Sequence, residues 1–216
     1  MKIDFVSDVS CPWCVVGLKS LQAALARLDD ITADIHFQPF ELNPRMGPEG
    51  QDIAEHIAQK YGASPADMAR SQEALQARGE ALGFHFDFAR RGRIYNTFDA
   101  HRLLHWAREE GKQAALKNAL FAAYFTAGQD PGNHEVLASV AAGAGLDPQR
   151  AREILASDEF SSEVRAREKF YSELGIHAVP SVIINDRHLI QGGQPPEVFE
   201  QALRQIAGQQ SSPGSQ

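Results

Sequence analysis

The chain has 216 residues, 43% hydrophobic and 23% charged, enough to bury a full core as one domain or as a domain carrying a large insertion. With 21 Lys and Arg against 28 Asp and Glu, its net charge of −7 offers no basic footprint to a phosphate backbone, so nucleic acid is excluded as the expected partner. No apolar run approaches a membrane span, and Asp4 and Asp8 interrupt the apolar stretch at the N-terminus, so a cytosolic protein acting away from the membrane is expected.

Residues 2 to 7, KIDFVS, read as a short strand. A helix follows from Cys11 to about Leu28, with apolar Val15, Leu18, Leu21, Leu25 and Leu28 at three-to-four spacing. Pro12 suits its first turn, where the missing N–H loses nothing and φ is already set. Residues 34 to 40, DIHFQPF, give a second strand, which places Cys11 and Cys14 at the strand-to-helix junction of a βαβ unit.

From about Glu49 to Leu174 the pattern is helical, with helices expected over 51–61, 65–82, 97–110, 112–127, 133–144, 148–156 and 159–174. Ser64 with Asp67 forms a capping-box-like pair, Asp147 before Pro148 is a second cap, and Thr97 or Asn96 caps the helix that carries His101 and His105. Gly128 and Gly175 stand where helices should stop. SVIIN (181–185), a turn at Asp186-Arg187 and HLIQ (188–191) then read as a hairpin, and Pro195-Pro196 opens a last helix. The Gly/Ser/Gln-rich segment 208–216 reads as a disordered tail.

Cys11 and Cys14 are the only cysteines, and three readings compete for them: a redox pair, half of a metal site, or small buried hydrophobes. Zinc needs four ligands, and only His101 and His105, at i and i+4, stand ready to complete a set. The helix start favours the redox reading. Its unpaired N–H groups and dipole stabilise a thiolate at Cys11 by about 0.3–1 kcal/mol, up to ~2 when partly buried. Residues three apart on a helix have Cα atoms roughly 5 Å apart, inside the range a disulfide accepts. Cys11 is thus the expected nucleophile and Cys14, one turn further in, the more buried resolving thiol. Trp13 between them reads as an exposed apolar contact for substrates, and Asp8 as a buffer of the thiols or, the safer reading, a cap on the helix.

The order β-α-β, helical block, β-β-α, with Cys11-Pro12-Trp13-Cys14 and Val179-Pro180 ahead of the hairpin, resembles the thioredoxin fold in its DsbA-type branch. The segments DVSCPWCVVG, FELNP, YNTFDAHRLLHWA, LFAAYFTAG and GIHAVPSVIIN are similar to the FrnE-like subgroup, relatives of the 2-hydroxychromene-2-carboxylate isomerases and kappa-class glutathione transferases. Those relatives generally have Ser where this chain has Cys11. The resemblance implies an α/β thioredoxin-like domain from 1–40 and 178–207 around an all-helical insertion, 41–177. It implies a thiol–disulfide oxidoreductase or isomerase that needs no metal or organic cofactor and acts on protein or small-molecule thiols, with Val179 and a cis Pro180 walling the site. It further places Asn96 and His101 on the substrate groove, makes Gly192 and Gly193 candidates for contact with glutathione as a co-substrate, and suggests a homodimer through the helical block. A glutathione-dependent transferase or isomerase of small hydrophobic substrates, and a thioredoxin-fold module that binds without turnover, are the competing functions.

Overall fold

The computed structural model describes residues 1–211. Its central sheet has the order β2-β1-β5-β6, built from β1 (Lys2–Ser7), β2 (Asp34–Pro39), β5 (Ser181–Ile184) and β6 (His188–Gln191). β1 pairs parallel with β2 (Lys2 opposite Asp34) and antiparallel with β5 (Ile3 opposite Ile184), and β5 pairs antiparallel with β6. A parallel pair needs a crossover, supplied by α1 (Pro12–Leu25). β1 is buried from Ile3 to Ser7, as expected for a central strand covered on both faces.

Between β2 and β5 lie β3 (Gln51–Asp52), α2 (Ile53–Tyr61), α3 (Pro65–Ala81), β4 (Arg93–Ile94), α4 (Phe98–Glu109), α5 (Gln113–Phe125), α6 (His134–Gly143), α7 (Pro148–Leu155) and α8 (Ser161–Glu173), and α9 (Pro196–Ser211) closes the fold. The insertion is helical as its periodicity predicts, apart from the two-residue ladder β3–β4, which is too short to leave an alternating pattern. Local chemistry fixes the helix ends. Ser64 and Asp67 form the reciprocal capping box, and Asp147 accepts from the Gln149 amide. Gly128 and Gly175 take φ of 69° and 83° just past α5 and α8.

Two expectations shift and one alternative is resolved. The hairpin turn is centred on Asn185 and Asp186, φ 52° and 57°, one residue earlier than Asp186-Arg187, because Asn and Asp tolerate the left-handed conformation better than Arg does. Asn96, not Thr97, supplies the side-chain bond at the start of α4, accepting from the Phe98 amide. The tail expected from 208 is helical through Ser211, since Gln continues a helix readily and no proline intervenes before 213; residues 212–216 lie outside the described residues.

The main core does not respect the boundary of the insertion. Ile3, Phe5, Leu18, Val182 and Phe199 of the strand-and-helix framework pack in one cluster with Leu75, Phe86, Phe121 and Phe125 of the insertion. A second core joins α4 to α7 through Leu103, Trp106, Leu120, Leu137 and Ile154, with Val9 reaching into it from the loop before α1.

Candidate functional site

Cys11 is the N-cap of α1, with extended backbone and no side-chain cap of its own. The next helical residue is Pro12, so the first turn presents its unpaired N–H groups beside the sulfur, and no acidic residue stands in that turn. Cys11 is 4% exposed and Cys14 is fully buried, both as free thiols, in the order expected of a nucleophile and the thiol behind it. Burial pushes the Cys14 thiol pKa well up, and the hydrogen bond and charge of Cys11 add to the effect.

Across from Cys11 the Val179–Pro180 peptide is cis, and the Val179 carbonyl accepts a weak bond from the Cys11 sulfur at 3.8 Å. The last residue of CPWCVVG eases this approach: a Cβ on Gly17 would lie 3.0 Å from Pro180 Cγ, so any larger residue would require the proline ring to give way.

Asp8 does not cap α1. Its fully buried carboxylate accepts from the Ser10 amide at 3.2 Å and the Leu42 amide at 2.7 Å, and lies 3.6 Å from His101 Nε2. Burial alone would raise its pKa, but the His101 interaction and these two amides hold it below the usual carboxylate value. The bond to Leu42 pins the FELNP loop over the active-site turn.

That loop is one wall of a cleft of about 490 Å³ into which Cys11, Pro12, Trp13 and Val179 face. Leu42 and Asn43 line it beside Cys11, and α2 and α3 close the far side with Ile53, Ile57, Tyr61, Met68 and Leu75. Arg91, 6% exposed, lies at its base, with its guanidinium 4.8 Å from the ring centres of both Tyr124 and Phe125. On α5, Lys117 is completely buried; burial lowers its pKa to about 8, against the opposing pull of Cys14, Asp8 and Cys11.

Of the sequence candidates, Cys11, Cys14, Trp13, Val179 and Pro180 come together. Asn96 and His101 do not line the cleft: Asn96 is spent on the α4 start and on the Met46 carbonyl, and His101 is buried against the Phe40 carbonyl at 3.1 Å. His105 lies off the cleft too, its ring tilted against Phe160 with 5.1 Å between ring centres. Gly192 and Gly193 also lie off the cleft. Gly193 packs against Trp13, where a Cβ would meet the ring at 3.0 Å, so its smallness serves helix packing.

The α2–α3 wall, Arg91 and Lys117 escaped the sequence reading. Lys117 had a signal: Gln113, Lys117, Leu120 and Tyr124 share one helical face, an odd place for a cation.

Residues 2–204 match the family model of the DSBA-like thioredoxin domain. Among solved structures, the "probable DsbA oxidoreductase" of Streptomyces coelicolor is 34% identical with a TM-score of 0.88, over 100% of this chain and 93% of that one. The Bacillus subtilis protein YwbO is 28% identical over 202 residues, covering 93% of this chain and 94% of its own. A 2-hydroxychromene-2-carboxylate isomerase shares the fold at 18% identity and a TM-score of 0.74, each chain covered in full.

Proposed function

This chain belongs to the DSBA-like thioredoxin domain family, and from that premise we propose that it is a thiol–disulfide oxidoreductase or isomerase working through the Cys11–Cys14 dithiol. One observation carries the reading: Cys11 stands at the amino end of α1, against the Val179 carbonyl and open to a cleft, while Cys14 lies buried one turn behind it.

In the reducing direction the Cys11 thiolate attacks one sulfur of a substrate disulfide. The substrate S–S bond breaks, its other sulfur departs as a thiolate, and a mixed disulfide forms on Cys11. Cys14 then attacks Cys11 Sγ, closing the Cys11–Cys14 disulfide and releasing the second substrate thiolate. Two electrons have passed from the pair to the substrate, and the reverse sequence oxidises a dithiol. Attack by another substrate thiol on the mixed disulfide, before Cys14 acts, gives isomerisation.

The cleft suits a thiol or disulfide substrate with apolar neighbours, protein or small molecule, glutathione among them. An extended segment laid along Val179 would bring its cysteine to Cys11. The chemistry is carried by the two sulfurs and needs no metal or organic cofactor. Lone cysteines in a Cys-x-x-Cys pair fit a cytosolic dithiol better than a structural disulfide.

Trapping tests the roles. Cys14→Ser accumulates covalent adducts with a disulfide substrate on non-reducing gels, and Cys11→Ser accumulates none. Equal trapping by both variants contradicts the assignment. Full turnover by Cys14→Ser would instead favour a glutathione-dependent transferase or isomerase, and no exchange by the parent protein at any redox poise would favour a binding module.

A further inference from the structure

A second groove, of about 460 Å³, runs along α1 and shares no lining residue with the Cys11 cleft. Val16, Ser20 and Ala23 of α1 line one side of it, and Leu82 at the end of α3 with Pro195 and Pro196 ahead of α9 line the other. Its volume falls within the range of about 300–1,000 Å³ that small-molecule sites occupy, and its lining is mainly apolar.

Two arginines also line the groove, in different company. Arg27, just past the carboxyl end of α1, is neutralised by Glu197 at 3.0 Å and Glu200 at 3.6 Å. Arg78 of α3 has no carboxylate beside it among the described residues. Its Nη1 donates to the Gly193 carbonyl at 2.9 Å, and its guanidinium lies 5.3 Å from the centre of the Trp13 ring. One of its five N–H donors is used on that carbonyl, and its charge is unmatched by any anion.

The second polar group is Ser20. It is 1% exposed, and its hydroxyl has no hydrogen-bond partner among the described residues, not even the carbonyl one turn back that a helical serine can use. A buried hydroxyl left unpaired is disfavoured, and alanine would serve the helix there without that loss. Ser20 and Val16 are i and i+4, neighbours on one face of α1. Gly193, whose carbonyl holds Arg78, packs against Val16, since a Cβ built on it would lie 3.4 Å from Val16 Cγ1. Guanidinium and hydroxyl therefore reach the groove about one helical turn apart, a gap that the two oxygens of a carboxylate can bridge.

We propose that this groove binds a small amphipathic carboxylic acid, its carboxylate on Arg78 and Ser20 and its apolar body along Ala23, Leu82 and Pro196. The planar guanidinium fork matches a carboxylate, and one unpaired cation with one hydroxyl suits a single negative charge. At the far end the two glutamates on Arg27 leave no cation for a second anionic group. The ligand is thus a monoacid with an aromatic or aliphatic body. Trp13 touches Arg78 from the side of the Cys11 cleft, so occupancy is felt at its ring. The site stands apart from the dithiol and does not depend on the redox reading.

The test titrates the reduced full-length chain with 4-phenylbutyrate and, separately, with its uncharged amide, following tryptophan fluorescence and backbone amide chemical shifts. The acid should bind saturably, with shifts centred on Val16, Ser20, Ala23 and Leu82, and the amide should bind at least about tenfold more weakly. Arg78→Met should weaken the acid by about tenfold or more, and Ser20→Ala by about threefold to tenfold, with little change for the amide. Equal affinity for acid and amide overturns the proposal, as does undiminished binding of the acid by Arg78→Met. Shifts centred instead on Asn43, Ile57 and Met68 would move the acid to the Cys11 cleft and overturn it too, and so would the lack of saturable binding up to about 10 mM. Should a variant fail to fold, the acid-against-amide comparison and the shift map of the parent decide alone. None of these results alters the assignment of Cys11 and Cys14.

Discussion

Asp8 and Lys117 are both fully buried, and their surroundings set them apart. Asp8 has two amides and an imidazole around it; Lys117 has an aromatic ring and a cavity. The Lys117 pKa falls from 10.5 unfolded to about 8 folded, so the penalty is complete below pH 8, where both states are charged, and fades as pH rises toward 10.5. Lys117→Met should therefore stabilise the chain at pH 7 by about 1–3 kcal/mol, with the gain shrinking between pH 8 and 10.5 in urea melts at a series of pH values. A gain independent of pH would contradict this. At this scale Cys11 and Cys14 were legible from the sequence, because spacing, the following proline and the strand-to-helix position all constrain them locally. Lys117 was not, because lysine on a helix is ordinarily a surface residue and its burial depends on which helices cover α5. Asp8 illustrates the same limit: its main-chain partner Leu42 is 34 residues away.

Among the elements, α1 positions most of the candidate site. Its amino end holds Cys11, its first turn buries Cys14, and its second turn carries the glycine that meets Pro180. Gly17→Val puts two methyl groups where a single Cβ already approaches Pro180 to 3.0 Å, so it should destabilise by about 1–3 kcal/mol and move the Val179 carbonyl off Cys11. Denaturant melts, with Cys11 alkylation rates as a local probe, check both effects; an unaltered alkylation rate would show that the Pro180 loop yields without disturbing the site. Helix boundaries were readable to within one to three residues because caps and glycines announce them, as at Ser64 and Asp147. The β3–β4 ladder and the α2–α3 cleft wall were not, since two-residue strands have no period and the placement of a helix over a cleft is a tertiary outcome.

At the scale of the whole molecule, the insertion shares a core with the sheet it interrupts. Phe121 and Phe125 of α5 pack with Phe5 and Val182 of the strands, and Val9 joins the second core. The main core is complete only with residues from both parts, so unfolding should be one cooperative transition. The two tryptophans report on both regions, Trp13 beside the site and Trp106 in the second core, and single Trp→Phe variants should show coincident fluorescence midpoints. Separate midpoints would mean two independently stable units. The order of elements already implied the thioredoxin arrangement, whereas the sharing of the core could not be read from a linear boundary at 41–177.

The central claim, that Cys11 and Cys14 form a reversible two-electron couple, is tested most directly by equilibrating the chain in glutathione buffers of graded poise and counting free thiols and adduct mass. Intact dithiol and internal disulfide should interconvert, with the ratio changing tenfold for each ~30 mV. A pair that remains dithiol throughout, or Cys11 held as a lasting glutathione adduct with Cys14 free, would contradict it.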